Sequence, residues 1–282
     1  MPKHAKLIQP IQIFDLDGTL TIEFDSSEGD RTGEKLDTYN YWHRITRKLS
    51  EDPDAFDDRE KAWLAVVMAT KDVDMIASLI ERTKYEISIF NESDKNDGAI
   101  RRQATLITHD FLDNGIVELD AIRYLQYQLQ EDVLCVISTG GDESGAAGFV
   151  DGLVDYGLLP KDLAEKIYVS GTKIDWNKMT VAHLNVGPLK LQGLELTFKS
   201  SIEDIQKRTQ AVFGNDPEHG DRAILDGFCQ YSFVKKTIKN EQAVLPPSCA
   251  FFSSWAEIYD NRNKICELHT QLMNLEYDKS TG

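Results

Sequence analysis

The sequence predicts an α/β protein: a parallel sheet with helices on both faces, interrupted early by a helical insertion. Three observations predict it. Short apolar runs recur at 11–14, 133–137, 167–169, 211–213 and 231–234, each closed by polar or glycine residues. Helical patterns such as 119–130 (LDAIRYLQYQLQ) and 201–210 (SIEDIQKRTQ) lie between most of them, the alternation that builds parallel sheets. The stretch from about 25 to 113, by contrast, has almost no strand signal and several helical ones.

The first strand is IQIF, where Ile11, Ile13 and Phe14 give the β-branched and aromatic composition of a buried run. Gly18 punctuates it, so Asp15 and Asp17 sit where strand becomes loop. Alternate residues on a strand point the same way. Two carboxylates placed so repel each other unless a cation or a proton is supplied. The insertion follows. Helices are expected over 36–49 and 57–70, joined by the acidic turn SEDPDAFDD. A further face runs through Ile76, Leu79, Ile80, Thr83, Ile87 and Phe90, with Asp72 as its N-cap. Tyr39, Tyr41, Trp42 and Trp63 are expected to pack within it.

After the insertion, VLCVI leads into STGG, IYV into SGT and AVF into GND. In parallel α/β sheets functional groups gather beyond the carboxyl ends of the strands, where Asp15, Ser138 and Asp216 all fall. Residues 188–198 (PLKLQGLELTF) alternate apolar and polar about Gly193, which predicts an extra strand or small hairpin outside the main sheet. The stretch 254–277 reads as an amphipathic helix packed on the body through Ile258, Ile265, Leu268, Leu272 and Leu275. The expected division is a core of 1–24 and 114–282 with an insertion of 25–113. No internal repeat interrupts it.

The 282 residues suffice for a large buried core. The net charge of −16, from 47 acidic and 31 basic residues, argues against nucleic acid and anionic membrane surfaces as partners. Any phosphate site must therefore be positive locally. Cys135, Cys229, Cys249 and Cys266 lack CxxC spacing and read as reduced thiols of a cytoplasmic protein. Gln9, Pro10 and Gln12 break the N-terminal apolar stretch below signal-peptide length, and no run reaches the ~20 apolar residues of a membrane span.

FDLDGTLT at 14–21 closely resembles the first motif of the haloacid dehalogenase superfamily, an apolar strand followed by DxDGTLT. A DxDGT string arises by chance in a chain this long only roughly a few times in a thousand. The superfamily's second motif, a strand ending in Ser or Thr, is matched by VLCVISTGG, through Ser138 with Thr139 as the alternative. Its third is a lysine, for which Lys199 in LTFKSSIEDI is chosen over Lys190. Its fourth, GDxxxxD-like, is matched by AVFGNDPEHGD through Asp216 and Asp221, with Asn215 intervening after the glycine. The resemblance covers roughly 8–22 and 114–240. It implies a Rossmann-like core with a helical cap inserted after the first strand, as in phosphoserine-phosphatase-like members.

The chemistry of the residues makes the same demand. A carboxylate that attacks a phosphomonoester splits a difficult hydrolysis into formation and breakdown of an acyl phosphate. Asp15 is placed as this nucleophile. Asp17 is placed to protonate the leaving alkoxide and then to deprotonate water. The repulsion among Asp15, Asp216 and phosphate calls for a hard cation with oxygen ligands. Mg²⁺ is expected on Asp15, the Asp17 carbonyl and Asp216, with Asp221 supporting. Ser138, Thr139 and Lys199 are expected to bind the phosphoryl oxygens. Glycines in STGGDESGAAG make no P-loop, since GK[ST] is absent, and the six histidines do not cluster, leaving His219 as a loop residue. The expected activity is a Mg²⁺-dependent phosphatase acting on a small phosphorylated metabolite or, with an open cleft, a phosphopeptide. Phosphoryl transfer or mutase chemistry, and a catalytically weak interaction protein of the same fold, are the alternatives.

Overall fold

A computed structural model describes residues 9–22, 97–113, 115–175, 180–228, 230–237 and 240–281. The helices expected over 36–49, 57–70 and 76–90, with their aromatic residues, lie outside the described residues. The architecture is α/β. Strand β1 (Ile11–Phe14) stands at the centre of a sheet with order β4-β3-β2-β1-β5-β6-β7. The other strands are β2 (Leu134–Asp142), β3 (Ile167–Asp175), β4 (Thr180–His183), β5 (Thr209–Gly214), β6 (Tyr231–Lys235) and β7 (Cys249–Phe252). Every pairing is parallel except β3 with β4.

The core explains why β1 is central. A strand covered by helices on both faces needs apolar residues at every position, not every second one. All four residues of β1 are buried. Ile11 and Ile13 join Val136, Val212 and Val234 on one face. Phe14 joins Phe213, Phe233, Phe252, Tyr124 and Trp255 on the other. On that second face the rings of Phe14 and Phe213 stack at 5.1 Å and those of Phe213 and Phe233 at 5.0 Å, a ladder across β1, β5 and β6. The one polar residue of β1, Gln12, accepts a hydrogen bond from Tyr124 at 3.0 Å, which satisfies it inside the core.

Helix α1 (Asp97–Asp113) returns the chain to the core, and α2 (Leu119–Gln130) covers the same range as the sequence pattern predicts; the short helices α4 (Lys161–Ala164), α6 (Ile202–Arg208) and α7 (Arg222–Leu225) come further along. The chain's exit and return are tied together. Ile22 donates to the carbonyl of Ile116 at 2.8 Å, and Glu118 to that of Leu20 at 2.9 Å. Although α1 falls within the segment assigned to the insertion, it packs on α3 (Glu143–Asp155), a helix of the core. Glycines permit the close approach. A Cβ at Gly148 would lie 2.3 Å from the carbonyl oxygen of Arg101, and one at Gly152 would lie 2.5 Å from Cβ of Thr108. Arg101 then grips Asp151 with two hydrogen bonds, of 2.5 and 2.8 Å.

Three expectations are corrected. Five strands are predicted and seven are found among the described residues; β4 (TVAH) carries little apolar signal, and β7 (CAFF) is apolar throughout but only four residues long. Residues 188–198 are not a strand or hairpin but helix α5 (Leu189–Phe198), following Pro188 at its N-cap. Its fully buried residues are Lys190, Gly193 and Leu194, at helical spacing, but two of the three are not hydrophobic, so periodicity in hydropathy cannot report them. The C-terminal stretch breaks at Asn261 into α8 (Trp255–Asp260) and α9 (Ile265–Thr281), where the Asn261 amide donates to the carbonyl of Glu257. Leu268 and Leu272 are buried as expected, whereas Leu275 is exposed.

Candidate active site

The site forms where β1 and β5 end, beside Ser138 and Thr139 midway along β2. β1 pairs Phe14 with Ile137 on one side and with Phe213 on the other. The next residue along β1, Asp15, therefore falls between Ser138 and Gly214. Its own N–H donates to the carbonyl of Phe213 at 2.8 Å, and its side chain is buried. Burial first, then the charges of Asp221 and Asp17, push its carboxyl up to about 8 against the pull of Lys190.

Lys190 is the cation that faces Asp15. Helix α5 carries its ammonium to 2.8 Å from Asp15 Oδ1, 2.5 Å from Asp221 Oδ1 and 3.3 Å from the carbonyl of Ser138. Its three donors are thus all used, and the side chain is 3% exposed. Burial alone would lower its pKa, but the two carboxylates outweigh burial and hold it charged, above its ordinary value. Gly193, one helical turn on, lets α5 approach this closely: a Cβ there would fall 1.9 Å from Oδ1 of Asn185. The choice of Lys199 is corrected by this placement. Lys199 is exposed at the C-cap of α5, in left-handed backbone at φ 51°, and has no contact with Asp15.

Ser138 and Thr139 differ in what their hydroxyls do. Ser138 is wholly buried next to Asp15, and its hydroxyl makes no hydrogen bond among the described residues. A buried hydroxyl without a partner costs free energy unless a ligand supplies one. Thr139 is used internally instead. Its Oγ1 accepts from the N–H of Gly141 at 3.0 Å and donates to Asp17 Oδ2 at 3.3 Å. Thr139, expected to bind phosphate, thus faces Asp17 at the same edge of the site as Ser138. Asp17 itself is exposed on the tight turn Leu16–Leu20, where Gly18 adopts φ 77°. That conformation suits glycine and brings the chain round so that Gly18 N–H reaches Thr21 Oγ1. Trp255 clamps the turn from below, donating to the carbonyl of Thr19 at 2.7 Å.

The loop after β5 holds the remaining acids. Asp221 is buried, and its Oδ2 accepts from the N–H groups of Asn215 and Asp216 at 3.0 and 3.1 Å while Oδ1 takes Lys190. Gly214 makes room for it, since a Cβ there would meet Asp221 Oδ2 at 2.7 Å. Asp216 is half exposed at the rim, its oxygens accepting from His219 and Gly220 N–H at 3.1 and 2.7 Å. His219 Nδ1 lies 3.6 Å from Asp216, on the exposed side of the loop.

Two residues are new to the site. Asn240, nearly fully buried, donates to the carbonyls of Asn215 and Lys235 and so fixes the acid loop against β6. Asn185, fully buried, donates to the carbonyls of Thr139 and Ser170 and fixes the end of β2. A single asparagine within a loop sequence carries no signal that separates it from an ordinary turn former.

Among the described residues no group of three or more His, Cys, Asp and Glu side chains is gathered as a metal cluster. The expected ligand set does not need one, because it takes two carboxylates, Asp15 and Asp216, and the carbonyl of Asp17. The donors are all oxygen, as a hard cation requires. These residues fit Mg²⁺.

No family model matches the chain, and no curated protein matches it. Solved structures do. Cytosolic 5'-nucleotidase IIIB bound to cytidine is 12% identical, with a TM-score of 0.44, covering 95% of this chain and 87% of its own. A Had-superfamily hydrolase from Ehrlichia chaffeensis is 15% identical, with a TM-score of 0.39, covering 93% and 99%. A phospho-aspartyl intermediate analogue of phosphoserine phosphatase is 12% identical, with a TM-score of 0.36, covering 89% and 98%. None of these likenesses carries a residue role or a substrate to this chain. The solved structures that the chain is similar to thus include hydrolases of the haloacid dehalogenase superfamily.

Proposed function

We propose that this chain is a Mg²⁺-dependent phosphatase that hydrolyses a phosphomonoester through an aspartyl phosphate on Asp15. One observation carries the reading: a buried carboxylate at the end of the central strand is bonded to a buried lysine, which is bonded in turn to a second buried carboxylate. A structural ion pair has no need of a third charge in the same pocket, and such sets are costly to bury. A reaction that brings in a phosphoryl dianion and a cation does need it.

Asp15 attacks phosphorus in line with the leaving oxygen. Lys190 holds the nucleophile through Oδ1, which leaves Oδ2 for the attack, and its charge offsets the negative charge gathering there. The Ser138 hydroxyl, without a partner of its own, receives a phosphoryl oxygen. Asp17 protonates the leaving alkoxide and then takes a proton from the water that cleaves the acyl phosphate. Mg²⁺, held by Asp15, Asp216 and the Asp17 carbonyl, supplies Lewis-acid neutralisation of the phosphoryl oxygens when bound. Asp221 acts from behind by holding Lys190 and the loop that carries Asp216. The insertion of 25–113 is assigned as the cap that chooses the substrate, a small phosphorylated metabolite.

The test is turnover of p-nitrophenyl phosphate by the purified chain. Activity is expected with Mg²⁺, none with excess chelator, and none for Asp15→Asn, a variant checked for folding by circular dichroism. Equal rates for wild type and a folded Asp15→Asn would remove the nucleophile from the scheme.

A further inference from the structure

Strand β2 carries a bulge beside the site. Its register against β3 pairs Ser138 with Ser170 and then Asp142 with Thr172, so Thr139, Gly140 and Gly141 together stand opposite Gly171. Such a bulge leaves carbonyls that the neighbouring strand cannot reach, and buried carbonyls need partners. Two side chains supply them. Asn185, fully buried between β4 and α5, donates through Nδ2 to the carbonyl of Thr139 at 2.7 Å and to that of Ser170 at 2.8 Å. Thr172, 1% exposed, donates to the carbonyl of Gly140 at 2.8 Å and accepts from the N–H of Asn185 at 3.2 Å.

The bulge has a direction. Leu134 donates to the carbonyl of Pro10, so alternate residues from Leu134 to Gly140 turn their backbone groups toward β1, and those between turn toward β3. The side-chain contacts agree with this alternation. The Ser138 carbonyl meets Lys190 on the Asp15 side, and the Thr139 carbonyl meets Asn185 on the β3 side. The peptide from Thr139 to Gly140 is trans, so its N–H points opposite to that carbonyl, toward β1. There β1 has ended at Phe14, and the carbonyl of Leu16 is turned to Thr21. The Gly140 N–H thus faces the gap that β1 leaves beside Asp15.

We propose that Asn185 and Thr172 are positioning residues that hold the bulge of β2 and aim the N–H of Gly140 at a phosphoryl oxygen, a role that rests on the phosphatase reading above. Both act from the far side of the strand, through the carbonyls of Thr139 and Gly140. A backbone donor fixed in advance stabilises developing negative charge without reorganising. A peptide plane released from its carbonyl holds would turn, and a misplaced donor loses that advantage.

Affinity for an oxyanion separates this role from a structural one. A variant that is only less folded has fewer active molecules, so kcat falls while KM and inhibitor affinity stay the same. The probe is orthovanadate, competing with p-nitrophenyl phosphate in the presence of Mg²⁺. Thr172→Val removes the hydroxyl and keeps the shape, Thr172→Ser keeps the hydroxyl, and Asn185→Ala removes both amide donors. For Thr172→Val and Asn185→Ala, Ki for orthovanadate should rise by at least about tenfold, the weight of one hydrogen bond to a charged group, and kcat/KM should fall with it. Thr172→Ser should recover most of that loss. An unchanged Ki in Thr172→Val, or no rescue by serine, overturns the proposal. Should Asn185→Ala fail to fold, the Thr172 pair decides. Nuclear magnetic resonance of the ¹⁵N-labelled wild-type chain needs no variant. On addition of orthovanadate the amide proton of Gly140 should move downfield, and an unmoved Gly140 also overturns the proposal. If wild type has no turnover, the phosphatase reading fails, and the Gly140 amide in the same titration still decides whether the bulge receives an oxyanion.

Discussion

Replacing Lys190 by methionine removes one positive charge from a place where it touches two carboxylates, with little change in volume. The ammonium lies 2.8 Å from Asp15 and 2.5 Å from Asp221, and the three side chains are nearly fully buried. Removing one partner from a buried ionic set costs about 3–5 kcal/mol, because the remaining charges stay buried and uncompensated. At about 2–4 °C per kcal/mol for a chain of this size, Tm should fall by roughly 6–20 °C. The pH dependence fixes the sign. The Asp15 carboxyl is raised from 3.8 to about 8, and Lys190 is what restrains it, so the variant's carboxyl rises further. A raised folded pKa contributes stability that is fully present below the ordinary value and is lost as pH rises through the folded one. The gap between wild type and variant should therefore be small near pH 4 and widest above about pH 8. Thermal unfolding in chelator at several pH values measures it. A gap that stays constant across this range, or a Tm difference below about 2 °C at pH 8, would refute the reasoning. Turnover should fall by about 10²–10³-fold as the charge opposite the phosphoryl oxygens is lost.

Two further substitutions test the placement of neighbouring elements. Lys199→Gly relieves a left-handed backbone position at an exposed helix end, so Tm should rise by a few degrees, for about 1 kcal/mol, with turnover retained; a tenfold loss of turnover would return Lys199 to the site. Gly152→Ala places a Cβ 2.5 Å from that of Thr108 and should cost about 1–3 kcal/mol in urea unfolding, against little for the control Gly145→Ala, whose nearest contact is 3.9 Å; equal costs would mean that α1 and α3 are not held by that close crossing.

The sheet's middle was legible because its strands are buried on both faces. β1, β2, β5 and β6 each contain a short, mainly apolar run, and the polar residues that follow those of β1 and β2 place Asp15 and Ser138 side by side. Asp221 was legible by spacing from Asp216, but not its bond to a lysine. Lys190 was obscured because the stripe it belongs to consists of a charge, a glycine and a leucine, so hydropathy favours the wrong period. An ion pair formed across 175 positions leaves no local mark at all. The same holds for Asn185 and Asn240, whose work is done on carbonyls of distant loops. Thr139 was read by its type as a phosphate ligand, and the contact of its hydroxyl with Asp17 leaves no local mark in the sequence.

The distance along the chain between Asp15 and Lys190 has a consequence for the order in which the molecule comes into being. During synthesis the acid emerges early and waits, without its counter-charge, until helix α5 has left the ribosome and closed over the sheet. Until then the central strand ends in an unneutralised carboxylate that resists being covered. The lysine in turn waits for Asp221, which follows it in the chain, so the buried triad is complete only after β5 and its loop have joined the sheet.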